Sequence, residues 1–265
     1  MAYDRDPILT MFADKFRVRE YVADRIGERY LSKLIAHGDS VESLTNVIFP
    51  KNFAIKSNNG SGGMILVWEN APQENRLPKN DKSIWSQHLV QPQHFDYQIM
   101  RKLANRWLSH NFYFRPGQFP EWAYKDIVPQ LLVEELMIDH NGNLPSDYKF
   151  FMVEGQCVFI QVDSSRFDGH RRDLFTSSWS KIHGSYQYQE SGREIEKPKC
   201  LLEMLDVAKK LASGVDFVRV DLYETSNGVR FGELTNYPGG GIEVFSPESL
   251  DSELGASWIP SYPAN

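Results

Sequence analysis

Phe217-Val-Arg-Val-Asp-Leu-Tyr223 is a run in which polar and apolar side chains alternate, and a second run, Val229–Leu234, follows it after Ser226-Asn-Gly228. Successive side chains of a β-strand point to opposite faces, so Arg219 and Asp221 share one face and the aliphatic residues share the other. Asn-Gly in the connecting segment is typical of a tight turn. The stretch therefore predicts an antiparallel hairpin with one polar face.

The length of the turn decides which residues face each other across this hairpin. With a three-residue turn, Asp221 lies opposite Glu233, Arg219 lies opposite Thr235, and Phe231 shares the face of Glu233. Two carboxylates directly opposite each other destabilise a ladder. The pairing therefore predicts that a positive charge lies between them. A register that differs by one residue, or a solvent-facing pair screened by water, is the alternative.

Oxygen atoms are the donors on this face, and Mg²⁺ usually takes one or two carboxylates together with substrate phosphates. We therefore interpret Asp221 and Glu233 as candidate Mg²⁺ ligands. Thr235 and Asn236 offer neutral oxygen donors beside Glu233, and the glycine-rich run Pro238–Gly241 follows. That run either lets a substrate approach closely or simply ends the sheet.

A second feature is the polar segment Ser57-Asn-Asn-Gly-Ser-Gly-Gly63, which lies between the strand-like runs Phe53–Lys56 and Met64–Trp68. It lacks the Gly-Lys-Ser/Thr ending of a Walker A loop, and it joins two strands where a dinucleotide fingerprint joins a strand to a helix. Backbone N–H groups of such a flap can cover polyphosphate oxygens, with Lys56 supplying charge. The segment is a candidate phosphate cradle, and a plain hairpin turn is the alternative.

The composition is that of a globular protein, with 265 residues, 41% hydrophobic residues and a formal net charge of −6. This length suits one large domain or two lobes. The acidic balance weakens a nucleic-acid function, because neutralising phosphates needs an excess of Lys and Arg. There is no membrane-length apolar run, no signal-peptide layout, and only Cys157 and Cys200. We therefore expect a soluble, cytoplasmic protein without nucleic-acid partners or membrane insertion.

Hydrophobic spacing predicts helices over 14–35, 96–110 and 199–212. The expected strands are 53–56, 64–68, 130–137, 147–153, 156–162, 216–224 and 229–234, with 71–93 and 166–191 irregular. Helices and antiparallel hairpins mix without regular βαβ alternation, which indicates an α+β protein with two lobes, 1–129 and 130–265.

Several phrases, in order along nearly the whole chain, resemble those of the TupA-like ATP-grasp family, which is associated with teichuronopeptide and cell-surface polysaccharide assembly. The phrases are Asp14-Lys-Phe-Arg-Val-Arg-Glu-Tyr-Val22, Phe53-Ala-Ile-Lys-Ser-Asn-Asn-Gly60, Glu121-Trp-Ala-Tyr124, Leu132-Val-Glu-Glu-Leu136, Asp147-Tyr-Lys-Phe-Phe151, Arg219-Val-Asp-Leu-Tyr223 and Phe231-Gly-Glu-Leu-Thr235. The resemblance implies an ATP-grasp fold, with a nucleotide in the cleft between two α+β lobes. The first lobe would carry the glycine flap, and the second would carry the adenine hinge and the metal site.

The resemblance also implies roles for individual residues. Those that would contact the ATP phosphates are Lys15, Lys56 and the flap residues Gly60, Ser61, Gly62 and Gly63. Those that would present backbone groups to adenine are Glu134, Glu135 and Leu136, with Lys149 also facing the nucleotide. Asp221 and Glu233 would bind Mg²⁺, and Arg219 would stabilise charge on the transferred phosphoryl group.

The chain departs from the ATP-grasp pattern at two places. Many ATP-grasp ligases end the metal strand with Glu-x-Asn, whereas this chain has Thr235 there and Asn236 one place later, so either residue would complete the metal site. Because Lys15 lies so near the N-terminus, we expect no room for the usual domain that helps to bind the acceptor. The acceptor would then be bound by 166–191 and the C-terminal tail, or a partner protein would supply that surface.

Basic side chains in this region could anchor the carboxylate of a substrate. The candidates are Arg166, His170, Arg171 and Arg172. A solvated basic loop is the alternative. No residue stands out as a dedicated general base, although His170, His183 and Glu243 can be tested.

The resemblance implies an ATP- and Mg²⁺-dependent ligase that activates a carboxylate as an acyl phosphate and then joins it to an amine. Its small-molecule substrates would be a sugar acid or an amino acid used in polysaccharide or peptide-conjugate biosynthesis. Two other functions stay open. One is a kinase of a sugar or other small molecule on the same fold, and the other is a non-catalytic or glycosyltransferase-associated protein of polysaccharide assembly.

Overall fold

The computed structural model describes residues 4–81, 83–114, 120–164 and 169–259. The helices in these residues are α1 (Pro7–Ala13), α2 (Val18–Ile26), α3 (Tyr97–Leu108), α4 (Leu201–Leu211) and α5 (Ser249–Gly255). The strands are β1 (Leu34–Gly38), β2 (Phe53–Ser57), β3 (Met64–Val67), β4 (Gln87–Val90), β5 (Leu131–Glu135), β6 (Asp147–Val153), β7 (Gln156–Ser164), β8 (Arg171–Phe175), β9 (Lys181–Ile182), β10 (Ser185–Tyr186), β11 (Phe217–Thr225), β12 (Gly228–Thr235) and β13 (Phe245–Ser246). Within the described ranges, every helix is too short or too polar to cross a membrane.

The described residues divide into two compact units. The first unit contains Arg5–Arg19 and Ser32–Ile138, and the second contains Asp4, Glu20–Leu31 and 139–259. This division differs from the expected lobes 1–129 and 130–265. Because β5 is hydrogen-bonded between β1 and β2, the first unit extends to the end of that strand and beyond it.

The first unit is built on a sheet with the strand order β1-β5-β2-β3-β4. The neighbouring strands are antiparallel except β3 and β4, which are parallel. Ile55, Ile65 and Val133 pack with Trp107 of α3 in a fully buried core. α3 begins after Asp96, whose carboxylate caps it by accepting two backbone hydrogen bonds. This core holds the ends of β2 and β3 on either side of Ser57–Gly63, here called the glycine segment.

The second unit is built on an antiparallel sheet with the strand order β12-β11-β6-β7-β8-β9. α4 packs against β6, β7 and β11, and it buries Met204, Val207 and Leu211. Phe151 and Phe159 form part of a hydrophobic cluster that includes residues of β10, β13 and α5. Phe151 pairs with Arg219 on the neighbouring strand, so this hydrophobic cluster and the polar residues of the hairpin share one face of the sheet.

Two sequence-based expectations about the elements are wrong. The helix expected over 14–35 ends at Ile26, because Gly27 follows with a φ of +98°, and β1 already begins at Leu34. The segments expected to be irregular contain β4 and β8, which are ordered by pairing with β3 and β7. A strand whose order depends on its partner gives a weak local signal, which is why both were missed.

Candidate active site

The β11–β12 hairpin places Asp221 directly opposite Glu233 and Arg219 directly opposite Thr235. This confirms the pairing that the sequence predicted. The four side chains lie on one face of the sheet, because residues two apart on a strand share a face and directly opposed residues do too. The second unit therefore presents two carboxylates, a guanidinium and a hydroxyl side by side.

The hairpin reaches this register by a different route from the one expected. Thr225 pairs with Gly228, so the turn has two residues in place of three. Farther along, Leu222 pairs with Phe231, and Gly232 is an extra residue in a β-bulge before the ladder resumes. The bulge places Phe231 on the apolar face with Leu222, so the expectation that Phe231 shares the face of the acidic pair is wrong.

Arg219 supplies the positive charge that the acidic pair was predicted to need. Its Nε lies 2.6 Å from Oδ1 of Asp221, and its Nη2 lies 2.8 Å from Oδ2 of Asp221 and 2.9 Å from Oε1 of Glu233. The same Nη2 donates to Oγ1 of Thr235 at 2.9 Å. Burial acts to lower the pKa of Arg219, but the two carboxylates outweigh it and hold the pKa above its ordinary value. The bridging group is therefore a permanent cation.

Lys149 extends this ladder onto β6. It is opposite Asp221, and its Nζ donates to that carboxylate and lies 2.6 Å from Oδ2 of Asp147. Burial acts to lower the pKa of Lys149, yet the carboxylates of Asp147 and Asp221 raise it overall. Burial raises the pKa of Asp221 to about 6, against the opposite influence of Arg219 and Lys149. Lys149 thus belongs to the charge network of the hairpin.

The donor set of the hairpin fits Mg²⁺ in its chemistry, because Asp221, Glu233 and Thr235 offer oxygen atoms on one face. The Glu233 side chain is 41% exposed and the Asp221 side chain only 1%. Both oxygens of Asp221 already accept bonds from Arg219 or Lys149. In the part of the chain that is described, no three His, Cys, Asp or Glu residues cluster so as to hold a metal themselves. A Mg²⁺ ion here would therefore need further ligands, such as substrate phosphates. Asn236 lies just past the end of β12.

In the first unit, Lys56 on β2 is bonded to a buried carboxylate. Its Nζ lies 2.5 Å from Oε2 of Glu134, and Nη1 of Arg19 lies 2.5 Å from Oε1 of the same residue. The Glu134 side chain is 4% exposed, whereas the Lys56 and Arg19 side chains are each 17% exposed. The side chain of Glu134 therefore neutralises one of two cations and fixes both, a role that the sequence did not indicate.

The three residues expected to meet adenine form the end of β5 and the residue after it. The backbone N–H of Glu135 donates to the carbonyl of Lys33 at 3.0 Å, and that of Leu136 donates to the carbonyl of Asn52 at 3.4 Å. Glu134 is paired within the sheet on both sides. The backbone amides of Glu135 and Leu136 are thus already bonded inside the first unit.

The glycine segment is anchored at its first residues. Asn58 donates to Oδ1 of Asp14 and to the carbonyl of Val128, each at 3.0 Å, and its own Oδ1 accepts from the N–H of Gln130 at 2.7 Å. Asn59 is fully buried and donates to a backbone carbonyl after α3. These bonds hold the start of the segment against the rest of the first unit.

The middle of the glycine segment is covered by an aromatic ring. A Cβ at Gly60 would lie 2.5 Å from the ring of Trp85, and one at Gly62, whose φ is +108°, would lie 2.4 Å from the Trp85 carbonyl oxygen. Lys15 donates its Nζ to the carbonyl of Gly60. Ser61 is exposed and Gly63 is buried. Gly60 and Gly62 therefore lack side chains where Trp85 approaches the segment closely. Lys15, one of the two lysines predicted to bind phosphate, is bonded to the backbone of the segment.

The basic cluster predicted to bind substrate is divided by the structure. Arg166 lies outside the described residues, and Arg171 is exposed on β8. Arg172 is 5% exposed; its Nε lies 2.8 Å from Oδ1 of Asp163 and its Nη1 lies 3.2 Å from Oε2 of Glu243. His170 also approaches Asp163, with its Nε2 at 3.2 Å from Oδ1. The alternative of a solvated loop is therefore wrong for Arg172, whose charge is balanced by two carboxylates.

The structure brings the predicted residues together in two sets, one in each unit. Arg219, Asp221, Glu233, Thr235 and Lys149 form the ladder of the second unit, and Lys15 and Lys56 lie at the glycine segment and at Glu134 in the first. The sequence analysis missed Arg19, which pairs with Glu134, and Asp147, which pairs with Lys149. It also missed Asp163 and Tyr186, whose carboxylate and backbone carbonyl accept hydrogen bonds from Arg172. Asp147 had a signal, because it lies two residues before Lys149 on a strand and therefore on the same face.

The glycine segment beside the lysine-bearing strand β2, and the Arg-x-Asp strand paired to a glutamate strand, are features on which the resemblance to ATP-grasp proteins rests. A sequence model of the family described as TupA-like ATP-grasp matches residues 1–259, and the chain belongs to that family. The observed α+β architecture agrees with the predicted fold class. A search of curated proteins found no significant match to the sequence.

Several solved structures are similar to this chain. The ATP-grasp ligase PsnB in complex with a minimal precursor shares 11% identity with a TM-score of 0.42, covering 86% of this chain and 54% of that one. D-alanine–D-alanine ligase from Bacillus anthracis shares 14% identity with a TM-score of 0.47, covering 95% and 68%. The ADP complex of purK, N5-carboxyaminoimidazole ribonucleotide synthetase, shares 11% identity with a TM-score of 0.46, covering 86% and 46%. The chain thus spans about half the length of PsnB and purK, and the family assignment rests on the sequence match.

Proposed function

We propose that the protein is an ATP- and Mg²⁺-dependent ligase that joins a carboxylate to an amine through an acyl phosphate. The observation that carries the proposal is the bridging of Asp221 and Glu233 by Arg219, in a chain of the TupA-like ATP-grasp family. Phosphoryl transfer depends chiefly on positioning and on neutralising charge. Two carboxylates that could hold a divalent cation, with the permanent cation Arg219 within 3 Å of each of them, support this chemistry.

In this proposal the residues of each unit have distinct tasks. Bound Mg²⁺–ATP would supply the phosphoryl group and neutralise part of its charge. Asp221 and Glu233 would hold the metal, with Thr235 or Asn236 completing the set. Arg219 would turn its guanidinium from the carboxylates toward the charge that develops on the transferred group. Lys15 and Lys56 would hold phosphate oxygens under the glycine segment, and Lys149 would keep Asp221 in place.

The proposed reaction has two steps. A carboxylate oxygen of the first substrate forms a bond to the γ-phosphorus of ATP, the bond to the bridging oxygen breaks, and ADP leaves. The amine nitrogen of the second substrate would then form a bond to the acyl carbon. The bond from that carbon to the phosphate oxygen would break, phosphate would leave with its electron pair, and the nitrogen would lose a proton to solvent or to a neighbouring base. The products are an amide, ADP and phosphate.

The substrates we propose are a sugar acid or an amino acid, used in building a surface polysaccharide or a peptide conjugate in the cytoplasm. Support comes from the association of the TupA-like family with such assembly. Arg171 and His170 remain candidates for contact with the substrate carboxylate, and a partner protein is a further candidate for the surface that binds the acceptor.

Thermal unfolding with nucleotides tests this proposal. The probes are Mg²⁺ with a non-hydrolysable ATP analogue, Mg²⁺ alone, and a panel of UDP-sugars. A ligand at 100 times its Kd adds about 2.7 kcal/mol of stability, which corresponds to a rise in Tm of several degrees. We expect that rise with the ATP analogue in the wild type and in Lys51→Ala, whose exposed lysine is the matched control, and its loss in Lys56→Ala.

A second measurement separates the ligase from its rivals. Acid–amine pairs are screened for release of free phosphate, which a ligase forms and a kinase does not, because a kinase leaves the phosphate on its product. A Tm rise with a UDP-sugar and none with the ATP analogue would contradict the proposal and point to glycosyl transfer.

A further inference from the structure

Three consecutive glycines follow β12, the strand that carries the proposed metal ligands. β12 ends at Thr235, and the chain then passes through Gly239, Gly240 and Gly241, which have φ values of +56°, +67° and +73°. Three consecutive glycines lose more conformational entropy on ordering than any other residues. Other groups must therefore hold this turn, Gly239–Gly241, which begins four residues after Thr235, the last predicted metal ligand of the ladder.

The group that holds the far end of this turn is Arg172. Its Nη1 lies 3.2 Å from Oε2 of Glu243, which is the second residue after the three glycines. Glu243 in turn packs onto the turn itself, because a Cβ at Gly239 would lie 2.1 Å from Cγ of Glu243. The turn thus packs against the Glu243 side chain, which Arg172 holds in place.

Arg172 is itself fixed from every side. Asp163 lies 2.8 Å from its Nε, and the rings of Tyr186 and Tyr188 lie 5.0 and 4.9 Å from its guanidinium carbon. Its Nη1 also donates to the backbone carbonyl of Tyr186 at 3.2 Å. A guanidinium that is nearly buried and bonded in this way has little freedom to leave Glu243.

The residues after Glu243 are tied to the same place. Tyr186 pairs with Phe245, and the N–H of Gln187 donates to the carbonyl of Val244 at 2.9 Å. The phenol of Tyr186 is hydrogen-bonded to Glu243, and burial together with that carboxylate raises the pKa of the phenol. The turn is thus held by the β12 ladder at one end and by Arg172, Tyr186 and β13 at the other.

We propose that Arg172 is a positioning residue, which holds Glu243 and thereby fixes the triglycine turn that follows Glu233 and Thr235. The inference rests on the proposed function, because it assigns Arg172 to the metal site in place of direct contact with the substrate carboxylate. Side chains that orient metal ligands without touching the metal change metal affinity by about 10- to 100-fold when they are replaced.

The affinity for Mn²⁺, used in place of Mg²⁺ and followed by electron paramagnetic resonance in the presence of ADP, tests the inference. We expect Arg172→Met and Glu243→Gln each to weaken Mn²⁺ binding by about 10-fold or more. The double variant should bind Mn²⁺ about as tightly as the single variant with the lower affinity, because both changes break the same contact. ADP affinity measured in EDTA should be unchanged in all three variants. A general loss of structure would lower it.

Two further variants complete the design. Lys210→Met removes an exposed lysine that pairs with Asp206 of the same helix, α4, and it should leave Mn²⁺ affinity at the wild-type value. Arg172→Lys keeps the charge but loses the forked geometry, so we expect it to recover only part of the affinity. If Arg172→Met fails to fold, Glu243→Gln still tests the contact, because the Glu243 side chain is 19% exposed and its replacement does not remove the pair of Arg172 and Asp163.

The outcomes distinguish the inference from the proposed function. Wild-type Mn²⁺ affinity in Glu243→Gln would overturn this inference and leave the proposed function standing. Tighter ADP binding in that variant would do the same, since it would show that Arg172, once released from Glu243, binds anions. A wild-type protein that binds neither Mn²⁺ nor ADP would overturn the proposed function and this inference with it.

Discussion

The ring of Tyr223 lies where a side chain at Gly232 would have to go. A Cβ on Gly232 would be 2.6 Å from Cε2 of Tyr223 and 3.1 Å from the carbonyl oxygen of Asp221. Gly232 is also the extra residue of the bulge that compensates for the two-residue turn. The absence of a side chain at this position is therefore what allows Asp221 to face Glu233.

Replacing this glycine should strain the hairpin. In Gly232→Ala the new methyl group must displace the Tyr223 ring or the backbone of β11, and overpacking of this kind costs about 1–3 kcal/mol. Urea unfolding measures the loss. Gly255→Ala is the control, since a Cβ at Gly255 meets nothing within 4 Å, and its stability should equal or exceed that of the wild type. Equal stabilities of the two variants would contradict the role given to the bulge.

Neutralising Glu134 should destabilise the first unit strongly. Glu134→Gln leaves Arg19 and Lys56 without the buried carboxylate that both now contact, and breaking a buried ion pair costs about 3 kcal/mol or more. Glu42→Gln removes the exposed partner of Arg101 and should cost less than about 1 kcal/mol. Chemical denaturation of both variants provides the comparison. A loss in Glu134→Gln no greater than that in Glu42→Gln would show that Lys56 and Arg19 do not depend on this carboxylate.

The buried ion pair of Asp163 should make stability depend on pH in the acid range. Burial acts to raise the pKa of Asp163, but hydrogen bonds and charge from Arg172 outweigh it and lower the pKa. A carboxyl group with a lowered pKa in the folded state stabilises the fold above its unfolded pKa, and this contribution is lost as pH falls through the folded pKa. The difference in unfolding free energy between the wild type and Asp163→Asn should therefore be largest near neutral pH.

Urea unfolding from pH 7 downward measures that difference, which should shrink below about pH 5. Asp206→Asn is the control, because Asp206 forms an exposed pair within α4 and should show a small difference throughout. A difference for Asp163→Asn that stays constant down to pH 3 would contradict the lowered pKa.

Glu233 should be dispensable for folding and necessary for turnover. Its side chain is 41% exposed, so Glu233→Ala should change stability by less than about 1 kcal/mol. If Glu233 binds the metal of the proposed reaction, Mg²⁺-dependent ATP turnover should fall by at least about 100-fold, since residues that only orient ligands already contribute 10- to 100-fold. Phosphate release and thermal unfolding are measured on the same samples, with Glu253→Gln on α5 as the control. Turnover near the wild-type rate in Glu233→Ala would remove Glu233 from the metal site.

Local patterns in the sequence predicted a large part of this structure. The spacing that predicted α3, α4 and the strands around the glycine segment depends on neighbours in sequence, and the pairing of Asp221 with Glu233 is also local. The expected turn length was wrong, yet the pairing held, because the Gly232 bulge added one residue where the turn had one fewer. Alternation alone cannot show a bulge.

What the sequence did not show was which distant residue each charged group would meet. Lys56 was expected to be available to phosphates, and the structure bonds it to Glu134 on β5. Arg172 was grouped with its basic neighbours, and the structure pairs it with Asp163 and Glu243. Such partners depend on strand order and on the return path of the chain, which single-sequence spacing does not contain. The roles predicted for these residues in nucleotide and metal binding stay predictions.

The position of β5 has a consequence for how the chain folds. β5 lies between β1 and β2, and its Val133 pairs with Ile55, which precedes it by 78 residues. A growing chain therefore cannot complete the first sheet until Glu135 has been synthesised, and long-range pairing of this kind slows folding. A fragment that stops before Leu131 would leave the facing edges of β1 and β2 without their shared neighbour. Exposed strand edges promote association between chains, so such fragments should aggregate where the full chain does not.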